Sequence, residues 1–99
     1  MEPEWFYYKN EDSEFFMVFA DANNSSSKRR FDATDGSYVD QARGGSGTSY
    51  AQAFRSDIRS AKRLGALQGR PNLVQAVKDR QLPGDVLGEL RSLKKSLVG

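Results

Sequence analysis

The chain contains neither cysteine nor histidine among its 99 residues. The first absence removes disulfides, thiolate nucleophiles and cysteine-based zinc or iron–sulfur sites. It is also the usage of a reducing compartment, so an intracellular, cytoplasmic location is expected. The second absence removes the commonest general base and the commonest metal ligand. Acid–base chemistry would then fall to Asp, Glu, Lys or Tyr. No arrangement of these singles out a pair, so the chain is not expected to be an enzyme and no cofactor is expected.

Long hydrophobic runs are missing too. No stretch approaches the roughly 18 apolar residues of a membrane-spanning helix, so no membrane partner is expected. The first twelve residues, MEPEWFYYKNED, are acidic and aromatic, unlike the basic start of a secretory signal. A calcium loop is tested by Asp32, Asp35 and Asp40, and it fails. Such a loop needs Asp or Asn at its first and third positions ahead of the glycine at the sixth. Counting back from Gly36 puts Phe31 and Ala33 there. No metal site is expected.

Aromatic residues, at 11%, are too many for a disordered chain, and the length suits one domain, taken as residues 1–99. Charge is unevenly spread. The first 27 residues carry one basic and six acidic groups (−5), and the remaining residues fourteen and seven (+7). Such asymmetry fits a polyanion as one partner, or two halves that attract each other.

Residues 5–8 (WFYY) and 15–20 (FFMVFA) are strand formers separated by a polar turn, which makes residues 4–21 a β-hairpin. Neither strand alternates cleanly, so both faces need covering. A third strand is expected over residues 28–33. The Asp35-Gly36 pair suits a two-residue turn, and a fourth strand would return over residues 37–42. Together, residues 4–42 read as an antiparallel meander of three to four strands.

Residues 43–48 form a Gly-rich connector into the clearest helical pattern, residues 49–64. Ser49 and Gln52 make a capping box. Tyr50, Phe54, Ile58 and Ala61 recur at steps of four, four and three and share one face. Arg55, Arg59, Lys62 and Arg63 form a cationic stripe beside it, and Gly65 ends the helix. No aromatic residue follows. Pro71 opens a short helix over residues 72–80, with Leu73, Val74 and Val77 on its apolar side. Pro83 and Gly84 break it, and Asp85 caps a last helix to about residue 97, built on Val86, Leu87, Leu90, Leu93 and Leu97. The class is α+β: a meander, one main helix, then a C-terminal helical pair over residues 71–97.

The order of three or four strands and then a helix is similar to the layout of integrase arm-binding domains and plant transcription-factor domains, which read DNA. The resemblance rests on element order, with no shared motif, and fold alone does not assign function. Two classes of function stay open. One is a small binding or regulatory protein that contacts nucleic acid. Arg55, Arg59, Lys62 and Arg63 would hold phosphates, with Lys28, Arg29, Arg30 and Arg43 as a second group. The other is a protein-interaction module, such as a small viral or bacterial inhibitor or adaptor. It would dock, or form a homodimer, through Trp5, Tyr7, Phe15, Met17 and Phe19.

Overall fold

The computed structural model describes residues 3–9, 14–19, 28–39, 59–67, 70 and 73–98. Strands β1 (Glu4–Lys9), β2 (Glu14–Phe19), β3 (Lys28–Asp32) and β4 (Lys62–Ala66) form one antiparallel sheet in the order β3-β2-β1-β4. Two helices follow, α1 (Leu73–Lys78) and α2 (Gly84–Val98). The chain is therefore α+β.

The first three strands are the expected meander. Period-two alternation sends Trp5 and Tyr7 of β1, Phe16 and Val18 of β2 and Phe31 of β3 to one face. There they join Leu73, Val77, Val86, Leu87 and Leu90 of the two helices in a single buried cluster. Trp5, Phe16, Val18, Phe31 and Leu90 are fully enclosed in it. The opposite face carries Phe6, Phe15, Met17 and Phe19. Two aromatic pairs lie across β1 and β2 on this side: Phe6 meets Phe19 edge-on at 5.4 Å, and Tyr8 stacks on Phe15 at 6.3 Å. Each such contact adds about 0.5–1.5 kcal/mol beyond burial.

The main correction concerns residues 61–64. Helical spacing assigned them to the end of the main helix, but helical backbone stops at Ser60 and β4 begins at Lys62. Tertiary pairing overrides local propensity here. β1 is an interior strand, and its second edge needs hydrogen-bond partners that β4 supplies. A register shift opposite Trp5 and Phe6 absorbs Leu64, which packs on the core, and Gly65 takes φ +97°. Residues 49–58 of the expected helix, with Tyr50, Phe54, Arg55 and Ile58, lie outside the described residues. So does the connector with Arg43.

Of the strand expected over residues 37–42, the described part, residues 37–39, makes only isolated bridges, and residues 40–42 lie outside the described residues. Phe31 bridges Tyr38 and Ser37 bridges Gln81, each as an isolated pair. Instead of a two-residue turn, residues 33–36 form a four-residue loop, closed by Gly36 N–H to the Asp32 carbonyl (2.8 Å) and Asp32 N–H to the Ser37 carbonyl (2.9 Å). Asp32 and Asp35 each accept a backbone N–H two residues on. From α2, Arg91 donates to the carbonyls of Ala33 (2.8 Å) and Thr34, tying the loop to the helix.

α1 ends before the expected Arg80. Gln81 N–H bonds to the Ala76 carbonyl and Arg80 N–H to the Val77 carbonyl, with Arg80 at φ 62°. That is a Schellman stop with arginine in the position glycine usually takes. α2 starts at Gly84, so Asp85 sits in its first turn and pairs with Arg70, which also holds Glu89 at 3.0 Å. Leu97, expected on the apolar face, is 47% exposed.

Among the described residues, two glycines carry a positive φ, in different surroundings. Gly36 (φ +73°) also lies where a Cβ would meet the Leu82 Cβ at 3.3 Å and Leu87 Cδ2 at 3.4 Å, whereas Gly65 has open space around it. Gly65→Ala should cost about 1 kcal/mol from backbone strain alone, and Gly36→Ala about 2 kcal/mol or more. Urea unfolding midpoints check this, and equal costs would show that the approach of Leu82 imposes nothing.

Candidate anion-binding recess

The described members of the two cationic groups expected from the sequence lie apart, and Arg43 and Arg55 fall outside the described residues. β3 and β4 are the outer strands of the sheet, three strand spacings or about 14 Å apart. Residues 28–30 therefore lie on the opposite edge from Lys62 and Arg63. Within the first group, Arg30 sits over the Phe15 ring at 4.0 Å as a cation–π contact.

The expected helical stripe divides further. Arg59 is helical and exposed. Lys62 and Arg63 stand on a strand, so alternation sends them to opposite faces. Arg63 lies opposite Phe6 and pairs with Glu4, while Lys62 lies opposite Tyr7 on the helix side. The aromatic residues proposed as a docking surface divide in the same way. Trp5 and Tyr7 are core, and of the five only Phe19 is more than marginally exposed.

The structure instead assembles a site that helical reasoning missed. A recess of about 420 Å³ is lined by Tyr7, Lys9, Glu14, Ser60, Lys62, Lys94 and Lys95. Its construction follows from the register. Lys9 faces Glu14 across the open end of the β1–β2 hairpin, and Tyr7 faces Lys62 across β1 and β4. All four residues point to the face that α2 covers, and the last turns of α2 bring Lys94 and Lys95 over them.

Among the described residues, four ammonium groups and one carboxylate thus line the recess. Glu14 accepts from Lys94 Nζ at 2.7 Å and lies 3.6 Å from Lys9 Nζ. The Tyr7 side chain lines the recess beside it, and Lys94 lies 5.3 Å from the Tyr7 ring centre. The hydrogen bond from Lys94 holds the Glu14 carboxyl below its ordinary value, with the charges of Lys94 and Lys9 adding to it against some desolvation. Burial, reinforced by the neighbouring carboxylate, raises the Tyr7 hydroxyl above its own. Lys62 and Lys95 are exposed and make no ion pair among the described residues. The recess therefore carries two ammonium groups beyond those engaged by Glu14. Chemically it can hold an anion.

Among the described residues no group of three acidic, His or Cys side chains is placed to hold a metal, and no helix is long and apolar enough to cross a membrane. No family model, curated protein or solved structure matches the chain.

Because Glu14 is depressed in the folded state, its contribution to stability is complete above the unfolded carboxyl value of about 4.3 and is lost as pH falls through the lower folded value. Lys94→Met removes the principal cause. The Glu14 titration followed by NMR should move up toward the ordinary value, and the acid-side slope of stability should flatten. An unmoved titration would mean that Lys94 is not what holds Glu14 ionised.

Proposed function

We propose that this chain is a small non-enzymatic binding protein that contacts nucleic acid, with the lysine-lined recess and the neighbouring Arg59 as its phosphate-holding surface. The observation that carries this reading is the excess of ammonium groups over carboxylates in one concave site. Lysine is a compact, strongly hydrated point charge that suits phosphate oxygens without demanding a fixed geometry. The recess lies at the small end of the size range for ligand sites, roughly 300–1,000 Å³. Ser60 lines the recess two residues before β4, and the exposed Arg59 is its neighbour in the chain.

The residue types present favour binding over catalysis. Glu14 is engaged by Lys94 and Lys9 at once, and the chain has no histidine to act as a base near neutral pH. An intracellular setting fits a cysteine-free chain of this kind. A second reading, docking of a protein on the aromatic side of the sheet, draws on the half-exposed Phe6, Tyr8 and Phe19 away from the helices.

Salt separates the two. Binding to a fluorescent single-stranded 20-mer should weaken linearly with log salt, at a slope of about −0.7 per phosphate neutralised. The paired substitution Arg59→Glu and Lys62→Glu alters two exposed side chains and should reduce that slope by about 1–2. Binding that ignores salt, or that survives this variant unchanged, would transfer the function to the aromatic face.

A further inference from the structure

Resting on the nucleic-acid reading, we propose that the recess takes a phosphomonoester, the terminal phosphate of a strand, in preference to the internal phosphodiesters of its backbone. The charge count carries the argument. Lys94 and Lys9 are engaged by Glu14, which leaves Lys62 on β4 and Lys95 on α2 as the two ammonium groups without an ion pair among the described residues. An internal phosphate brings one negative charge. A monoester brings about −1.5 to −2 near neutral pH, because its second ionisation falls near pH 6. Two available ammonium groups match the second, and on a diester one of them would find no partner.

Shape agrees with charge. The recess lies at one corner of the sheet, between the open end of the β1–β2 hairpin, the start of β4 and the last turns of α2. A strand end enters such a corner with its phosphate leading. A continuous backbone would have to loop in and out, placing a second phosphate near the Glu14 carboxylate. Glu14 then has a role beyond holding Lys94: it opposes any anion that penetrates past the first phosphate.

The acidity of the ligand supplies a signature. Among the described residues, the charged and titratable groups around the recess are Lys9 and Tyr7 from β1, Glu14 from β2, Lys62 from β4, and Lys94 and Lys95 from α2. Glu14 is held below its ordinary value and Tyr7 above its own, so neither changes charge between pH 5.5 and 7.5. The monoester does.

The test uses the full chain and three probes: a fluorescent single-stranded 12-mer with a 5′-phosphate, the same strand with a 5′-hydroxyl, and free adenosine monophosphate as competitor. At moderate salt the phosphorylated strand should bind about tenfold or more tightly, since each hydrogen bond to a charged group is worth about 1.5–3 kcal/mol. The preference should grow from pH 5.5 to 7.5, fall to about unity in Lys62→Ala with Lys95→Ala, and be competed by the mononucleotide. Both positions are exposed, so the variant should keep the fold, which circular dichroism checks. Equal binding of the two strands would overturn the terminal-phosphate assignment and leave the nucleic-acid reading standing. A preference that persists in the double variant would also overturn it, by placing the end elsewhere. No binding of either strand at low salt would overturn both.

Discussion

An interior strand must be hydrogen-bonded along both edges, and the rest of this fold follows from meeting that demand at β1. β2 satisfies one edge through a local hairpin. The other edge is met only by a segment more than fifty residues further along, which gives up helical continuation to become β4. Unpaired backbone groups beside a core containing Trp5 would each cost about 1–3 kcal/mol. A short extension of a helix offers a few tenths per residue. The larger demand wins.

That choice also creates the recess. Strand alternation, not helical rotation, decides where Lys62 and Arg63 point, and it separates two adjacent cations by the thickness of the sheet. Arg63 settles on Glu4, and Lys62 is left beside Tyr7 above a carboxylate already held by Lys94. The charge that makes the site distinctive comes from elements close in space and far apart in the chain. Surface ion pairs of this kind contribute little to stability individually.

Much of the framework was legible in the residues. The two aromatic runs announce the hairpin because no other element tolerates WFYY and FFMVFA so close together. Leu73 with Val77, and Val86 with Leu87 and Leu90, announce the last two helices by their spacing. β4 was not legible, because KRLGA has one large apolar residue and extends a 3.6-residue pattern running through Ala61. Only the unpaired edge of β1 marks it as a strand. The recess was hidden for the same reason: the Lys9–Glu14 pair was within reach of a hairpin register, but Lys62 joins them only once it is known to be a strand residue. The distinct roles of Arg91, Lys94 and Lys95 depend on which strand ends lie beneath each turn.

The bond from Arg91 to the carbonyls of residues 33 and 34 spans almost sixty positions, and that from Lys94 to Glu14 spans eighty. The loop after β3 and the mouth of the hairpin are thus both held by α2, which follows every strand of the sheet in the chain. During translation the helix side of the sheet, with Trp5 and Phe16 upon it, lacks its α2 contacts until that helix has emerged. A nascent chain paused before that point displays an aromatic surface and two unclasped turns, the condition in which partly made proteins associate with one another or with chaperones. Non-local closure of this kind also slows folding, because loop entropy is surrendered before the contacts that reward it form. α2 acts as a latch across the loop after β3 and the mouth of the hairpin.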